Sequence, residues 1–524
     1  MAAGDGAEIG AGLASLRAGR PAEAIGCFER VLRRSPGNVD ALLGFGRAAL
    51  ALRHAGHGLQ AFDLGLALQP ERPDLHVARA GALLELQRPA EAEAACARAL
   101  ELQPRSAEGC LLRGQSLLLL ERPAEALPYY EQAAALLPGF APAHSDLGYV
   151  LAELDRLEEA VQACRRATAL DPALLGAHMN LGMALQRAGD LEIALASFGQ
   201  AMSVAPDCAE AHWNAGLCLL QLGRFTQGWH EYEWRKRMAH PLGARQFPCP
   251  PWLGAELLAG KTVRLHSEQG LGDTLQFCRF ATQVRALGAT VVLSVQSPLT
   301  ALLRSLDPSI QVIGEDEAAP ADYHCPLLSL PLALGVTVDS IPDAGAYLHA
   351  DPARVQGWRE RLGTRGFKVG IRWQGRPGIR ADIGRSFPLA AFAQLAAIPG
   401  VRLISLQKGA GTEQLGTLPA GMAVESVLDA DEGSDSFLDT AALIEALDLV
   451  ISCDTSVAHL SGALGRPTWL ALRSAPEWRW LAGRADSPWY RGHRLFRQSR
   501  PGDWDSVAAG MKLELLALLA QRPA

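Results

Sequence analysis

The chain has 524 residues, of which 49% are hydrophobic and 20% charged, and its formal net charge is −7. That length exceeds what one core can hold and predicts two to four domains. The acidic balance excludes a broad basic surface for nonspecific nucleic-acid binding. The ten cysteines form no Cys-x-x-Cys pair and no Cys/His spacing suited to zinc, so no metal site is expected. They read as reduced thiols of a cytoplasmic protein, several of them (Cys96, Cys164, Cys278) where a small apolar residue would pack. The opening MAAGDGAEIG lacks the basic and apolar regions of a signal peptide. No run reaches the roughly 20 apolar residues that cross a bilayer, so no membrane insertion is expected.

From about residue 5 the chain is periodic. Pro36, Pro70, Pro104, Pro138, Pro172 and Pro206 recur every 34 residues, the length of a tetratricopeptide (TPR) unit of two antiparallel helices. Ten residues after each Pro stands Gly46, Ala80, Gly114, Gly148, Gly182 or Gly216; twelve before it stands Ala24, Gly58, Ala92, Ala126, Ala160 or Ala194. Small residues at both points let paired helices approach closely, and each Pro ends a second helix because it lacks an N–H. A seventh unit near Ala209 departs from the pattern at Gly228–Trp234, whose aromatic residues predict packing on the next domain. Residues 5–235 are thus an all-α TPR superhelix, and 236–251 a Pro/Gly-rich linker.

The periodicity then changes. Thr262–His266 predicts a buried strand, followed by a Gly-rich loop, a helix from about Asp273 to Leu287, and a strand at Thr290–Val295. A second series starts at Val369–Trp373 and continues with Val401–Leu406, Leu449–Ser452 and Pro467–Leu472. Strands alternating with helices predict parallel sheets. The expected domains are residues 252–350 and 351–524, two Rossmann-like units facing a cleft, with ligands at the C-terminal ends of the strands.

Four segments fall at such ends. Ser267–Phe277 places Asp273 at a helix start, as a cap or as a catalytic carboxylate. Ser452–Leu460 begins another helix, with Thr455, Ser456 and His459 on one face; it reads as a phosphate site or as a capped helix with a packed histidine. Gln374–Ser386 carries three arginines on a Gly-rich loop, able to grip phosphate or simply solvated. Gln407-Lys408-Gly409 brings one of only five lysines to a strand end.

Taken together, HSEQGLGDTLQF (266–277), RSFP (385–388), SLQKG (405–409), DTAALIEALDLVISCDTSVAHLSGALGRP (439–467), PEWRWL (476–481) and SPWY (487–490) resemble bacterial proteins that join TPR repeats to a heptosyltransferase-like (family 9) glycosyltransferase domain. The more distant O-GlcNAc transferases are similar to this arrangement too. The resemblance covers nearly the whole chain and implies a GT-B fold and a metal-independent, inverting glycosyltransferase without a bound cofactor, the nucleotide-sugar being a substrate. It implies Asp273 as catalytic base, beside an acceptor-side loop with Gln269, Gly270, Gly272 and Gln276. Arg385, Gln407, Lys408, Asp454, Thr455, Ser456 and His459 would hold the donor, with Asp439 and Thr440 nearer its ribose or base. Related proteins often read GNPxHxND where this chain has Arg376, Ile379 and Ala381, with Asp382 retained, which leaves the donor and the activity less defined.

Eight residues after the last three repeat prolines lie Asp146, Asn180 and Asn214, on a first-helix face expected to line the repeat groove. An amide donates and accepts at once, so an Asn ladder suits an extended peptide; a solvated polar face is the plainer reading. The expectation is transfer of a sugar to Ser or Thr of a protein recruited by the repeats. Flagellin is a candidate, since some transferases of this type modify it. Two rivals stand beside it: a TPR scaffold with a degenerate transferase domain, and a transferase acting on a glycan or lipid-linked acceptor.

Overall fold

The computed structural model describes residues 2–239, 245–342, 345–378, 382, 384–427 and 436–521. The chain forms two compact units, Met1–Pro206 and Asp207–Ala524.

The first unit is six helical pairs. Its second helices begin at Pro21, Ala55, Pro89, Pro123, Leu157 and Leu191, and its first helices after the initial one begin at Val39, Pro73, Ala107, Ala141 and Leu175, each 34 residues after the last. The small residues make this spacing possible. A Cβ on Gly46 would sit 2.2 Å from Phe62, one on Gly148 2.2 Å from the Cys164 sulfur, and one on Gly182 2.5 Å from Phe198. Ala24, Ala92, Ala126, Ala160 and Ala194 have no exposed surface. Each pair is joined by one residue with positive φ: Gly19, Arg53, Gln87, Glu121, Asp155 and Gly189, again 34 apart. The repeats are studded with solvent-facing pairs at one recurring site, Arg88–Glu91, Arg122–Glu125 and Arg156–Glu159.

The second unit begins with the seventh pair, helices Ala209–Gln221 and Phe225–Tyr232. Strands β1 (Thr262–His266), β2 (Thr290–Val295), β3 (Gln311–Gly314) and β4 (Tyr323–Pro326) form a parallel sheet in the order β3-β2-β1-β4. Strands β5 (Phe367–Arg372), β6 (Val401–Ser405), β7 (Val424–Ser426), β8 (Leu449–Cys453), β9 (Thr468–Leu472) and β10 (His493–Arg497) form a second parallel sheet, β10-β9-β8-β5-β6-β7. The helix expected over Asp273–Leu287 is broken: helices Leu271–Phe277 and Ala281–Ala286 flank a 3₁₀ turn at Cys278–Phe280. Strand order reverses at β1/β4 in one sheet and at β5/β8 in the other, and crevices form outside such reversals.

The aromatic residues of the seventh pair enter the α/β core. Trp229 donates its indole N–H to the Val336 carbonyl (2.9 Å) and packs edge-on against Trp478. Gln221 donates to the Pro476 carbonyl at 3.0 Å and accepts the Ala482 N–H. This repeat is hydrogen-bonded as part of the sheet-containing unit.

Candidate functional site

The loop after β1 and the loops after β5, β8 and β9 meet at one place. Helices Leu271–Phe277 and Ser456–Ala463 touch because Gly272 has no side chain: a Cβ there would lie 2.8 Å from the His459 ring and 3.5 Å from the Ser456 Cα. Asp273 closes its own helix, one carboxylate oxygen accepting the Gly270 N–H at 2.7 Å. Its other oxygen pairs with the Arg479 guanidinium. The capping reading of Asp273 therefore holds, and a carboxylate 19% exposed stands beside a buried cation.

Arg479 organises the centre. It pairs with Glu477 and Asp273, donates from Nε to Gln276 Oε1 at 2.8 Å, and lies over the Trp478 ring. Burial pushes the Glu477 carboxyl up to about 7, against the pull of Arg479 and helped by Asp454 and Asp273. Water still reaches part of this side chain, so the crowding acts through surrounding protein, not complete enclosure.

The helix after β8 opens with Thr455 extended and no side chain capping its first N–H groups. The Thr455 hydroxyl faces Ser452 Oγ at 3.1 Å. Asp454 and Ser456 are partly exposed at this end. His459 is buried, with Nδ1 3.0 Å from the Tyr490 hydroxyl and its ring stacked on Trp480. Burial holds its pKa well below the usual histidine value, with Arg479, His493, Arg279 and Arg385 adding to the effect. Asp454 lies 3.9 Å from its Nε2, too far for a hydrogen bond. His459 is thus a neutral packing and positioning residue beneath the helix start.

Arg385 is half-buried on the loop after β5, where Asp382 accepts from it at 3.4 Å and from Ser386 at 2.7 Å. Gly375 makes room for it: a Cβ there would fall 2.5 Å from its guanidinium. The departures at Ile379 and Ala381 lie outside the described residues; Arg376 is exposed. Lys408 is half-buried where β6 ends.

Several expected ligand contacts are engaged elsewhere. Gln276, expected on the acceptor side, has no exposed surface and holds Arg479 instead. Gln407 accepts the Gln374 N–H at 3.1 Å and donates to the Gln374 and Ala410 carbonyls, clasping the loops after β5 and β6. Thr440 is buried. Asp439 takes the Trp358 indole N–H at 3.0 Å. Gln269 donates to the Tyr232 hydroxyl at 3.1 Å, and Gly270 is exposed.

In the repeats, Asn180 donates to both the carbonyl and hydroxyl oxygens of Ser145, stitching neighbouring pairs, and Asn214 donates to Glu210 in its own helix. Each amide keeps an oxygen for a partner. Asp146 is exposed, yet protein at longer range raises its pKa to about 6.

Sequence reasoning assigned no role to Arg235, Glu268, Glu477 or Arg479. Arg235, with no exposed side-chain surface, forms a two-pronged pair with Glu268 (2.7 and 2.8 Å) and a third contact with Glu233. It ties the end of the seventh repeat to the loop that leads to Asp273. The available signal was an arginine between tryptophans in Glu477-Trp478-Arg479-Trp480 and next to one in Trp234-Arg235, but the partners lie 206 and 33 residues away.

Residues 9–63, 43–107, 111–174 and 179–228 match the tetratricopeptide repeat family. These segments are TPR repeats. The chain is 33% identical over 313 residues to Protein FlbA of Caulobacter vibrioides, over 55% of this chain and 51% of that protein. It thus spans about half the length of that curated relative. Among solved structures it is similar to YrrB, a TPR protein with an unusual peptide-binding site, at 22% identity and a TM-score of 0.31 over 35% of this chain and 95% of the other. It is also similar to the APC/C hetero-tetramer Cut9–Hcn1, at 17% identity and a TM-score of 0.40 over 43% and 45%.

Proposed function

We propose that the second unit is a GT-B-type inverting glycosyltransferase and that the repeats recruit its protein acceptor. The observation that carries the reading is the meeting of the β1 and β8 loops through Gly272, which sets Asp273 beside an uncapped helix N-terminus. The helix N–H groups, the Thr455 and Ser456 hydroxyls and Arg385 would hold the donor diphosphate. The acceptor oxygen attacks the anomeric carbon as the sugar–phosphate bond breaks. Its proton passes to a carboxylate, Asp273 in this reading, and the leaving nucleotide's charge is met by Arg385 and the helix dipole. Arg479 holds Asp273 in place, and Glu477 keeps the local charge balanced. TPR arrays bind proteins along extended surfaces, and the free amide oxygens of Asn180 and Asn214 suit a peptide backbone.

One observation favours the scaffold reading. Both Asp273 oxygens already have partners, the Gly270 N–H and Arg479. A thermal-shift screen of the full chain against UDP, GDP, ADP, CMP and their sugars separates the readings, because a ligand of the folded state raises the melting temperature. A shift with one nucleotide, lost in Arg385→Ala, is the expected result. No shift with any nucleotide, with or without a protein acceptor, sinks the transferase reading.

A further inference from the structure

The inner wall of the repeats carries a carboxylate without a partner. The first helices of the fifth and sixth pairs, Ala141–Glu153 and Leu175–Ala188, pack closely on each other, whereas their second helices, Leu157–Leu170 and Leu191–Val204, lie further apart. A layer spaced more tightly on one side curves toward that side, so the first helices line the concave face. Asp146 stands on it. The residue is exposed to water, yet burial by surrounding protein raises its carboxyl to about 6, and no nearby cation lowers it. A group open to water and still flanked by protein belongs to the floor of a groove. Glu153, on the same helix, pairs with Arg187; Asp146 has no such partner among the described residues. An uncompensated carboxylate in this setting is costly, and a bound cation would remove the cost.

The neighbours define that cation. Tyr149 is half-buried one turn on, on the same helix face. Burial holds the Tyr130 hydroxyl above its usual value, and Asp146 and Tyr149 add to the effect, so both lie near it. A carboxylate among aromatic rings suits an ammonium or guanidinium group. Met183, half-buried on the next first helix, offers apolar surface to an alkyl stem. Asn180 is three residues before it and donates to the Ser145 carbonyl (3.1 Å) and hydroxyl (3.0 Å), at the residue next to Asp146. Its own oxygen remains to accept a peptide N–H. An extended chain advances about 3.3 Å per residue, so a segment anchored there brings a long side chain within reach of Asp146.

Charge at longer range agrees. Residues 1–206 hold twenty-four carboxylates against eighteen arginines and no lysine, so six of the chain's seven net negative charges lie in this unit. Such a field draws in basic partners. We propose that the groove of the fifth and sixth repeats binds an extended polypeptide segment that seats a lysine or arginine on Asp146 and a backbone N–H on Asn180. This rests on the reading that the repeats recruit a protein, and it names the chemistry of the segment they take.

Fluorescence anisotropy of the full chain with labelled nonapeptide pools tests it, each pool having degenerate flanks and a central Lys, Arg, Ala or Glu. The Lys and Arg pools should bind about tenfold more tightly than the Ala pool, and the Glu pool most weakly. Asp146→Asn, which keeps the side chain's size, should bring the Lys and Arg pools to the level of the Ala pool. Glu158→Gln removes the same charge from an exposed site on a second helix and should keep the preference, which separates a local contact from net charge. Asp146→Asn should melt no lower than wild type at neutral pH, because it removes an uncompensated charge; a lower midpoint would reveal a partner within the chain and overturn the proposal. So would equal binding of the Lys, Arg and Ala pools, a preference that survives Asp146→Asn, or one lost equally in Glu158→Gln. If the pools bind without preference, recruitment stands and this proposal falls; if no pool binds, both fall. The nucleotide-induced shift in melting temperature judges the transferase reading separately.

Discussion

The two units of this chain use charge in opposite ways. In residues 1–206 Arg88, Arg122 and Arg156 stand on the surface, each paired with a glutamate three residues on, at a position that recurs every 34 residues. In residues 207–524 several arginines are inside: Arg235, Arg279 and Arg479 are buried, and two of them bind carboxylates far away in sequence. The repeats stack by small residues, and the recurring Arg–Glu pairs lie on their surface. The α/β unit uses charge to hold its loops in place, which makes those loops precise and costly to disturb. All eleven tryptophans lie in the second unit, so tryptophan fluorescence reports on it alone.

The largest expected contrast is catalytic. Asp273→Asn should lower transfer by roughly 10²–10⁴-fold, the usual contribution of a positioned base. The pair Asn180→Ala and Asn214→Ala should leave donor hydrolysis intact and raise KM for a protein acceptor. Full transfer by a folded Asp273→Asn protein would assign the base elsewhere, with Glu477 the next carboxylate to test.

Stability shows the same contrast. Arg235→Met leaves Glu268 buried and unpaired and should cost about 3–5 kcal/mol. Denaturant unfolding followed by tryptophan fluorescence measures this. Arg122→Met, at an exposed pair, should not move the circular-dichroism melting curve at all. Equal effects from the two substitutions would erase the distinction between the units.

Proton binding has opposite signs at the buried histidines of the α/β unit and at Asp146 of the repeats, while Glu477, raised to about 7, acts in the α/β unit with the sign of Asp146 and offsets part of the histidine effect. Burial pushes His266 and His493 down to about 3 in the folded chain. Their stabilisation is complete above the unfolded value near 6.5 and is lost progressively as pH falls toward 3, about 2 kcal/mol per histidine by pH 5. Asp146, raised to about 6, does the reverse: its contribution is present below about 4 and lost as pH rises through 6. Fluorescence-detected unfolding at pH 7 and pH 5 should show the α/β unit weakening in acid, and no change would show that water reaches these histidines.

A smaller effect tests the small-residue packing. Gly182→Val would drive side-chain atoms into Phe198, since even a Cβ lies 2.5 Å from its ring. Overpacking of this kind costs about 1–3 kcal/mol. The loss should appear in helix content while tryptophan fluorescence stays on its wild-type curve.

How much of the fold is legible in the sequence follows from range. The 34-residue prolines and their small companions act within one repeat, so the helix starts can be read from the residues themselves. β1, β2 and β8 are legible as buried apolar runs. β3, β4, β7 and β10 are not: Gln311–Gly314 and Tyr323–Pro326 are four residues long and mix polar with apolar side chains. The strand ends that carry Asp273, Arg385 and Asp454–His459 are legible because a buried apolar run followed by a polar turn announces itself locally; their roles rest on the resemblance. Arg479 is not, because nothing near it reveals that its partner lies 206 residues away. Gln276 and Gln407 are ligand-side residues by the resemblance; in the structure Gln276 accepts from Arg479 and Gln407 clasps the loops after β5 and β6.

The finest difference between the units lies in the backbone of the repeat turns. Every turn within a helical pair needs one residue in the left-handed region, and Gly19, Gly189 and Gly223 meet that need without strain. Arg53, Gln87, Glu121 and Asp155 hold the same conformation with a side chain, at φ of 58–63°. The left-handed conformation costs a side-chain-bearing residue roughly 1–2 kcal/mol, and glycine's greater unfolded-state entropy returns part of that. Gln87→Gly should therefore stabilise the chain by about 0.5–1 kcal/mol, seen as a higher helix melting midpoint with the tryptophan transition unmoved. Gln87→Val, β-branched at the same φ, should shift that midpoint the other way. A stabilising valine would mean the turn relaxes out of the left-handed region, and the 34-residue register of the helix starts would then rest on the prolines and small residues alone.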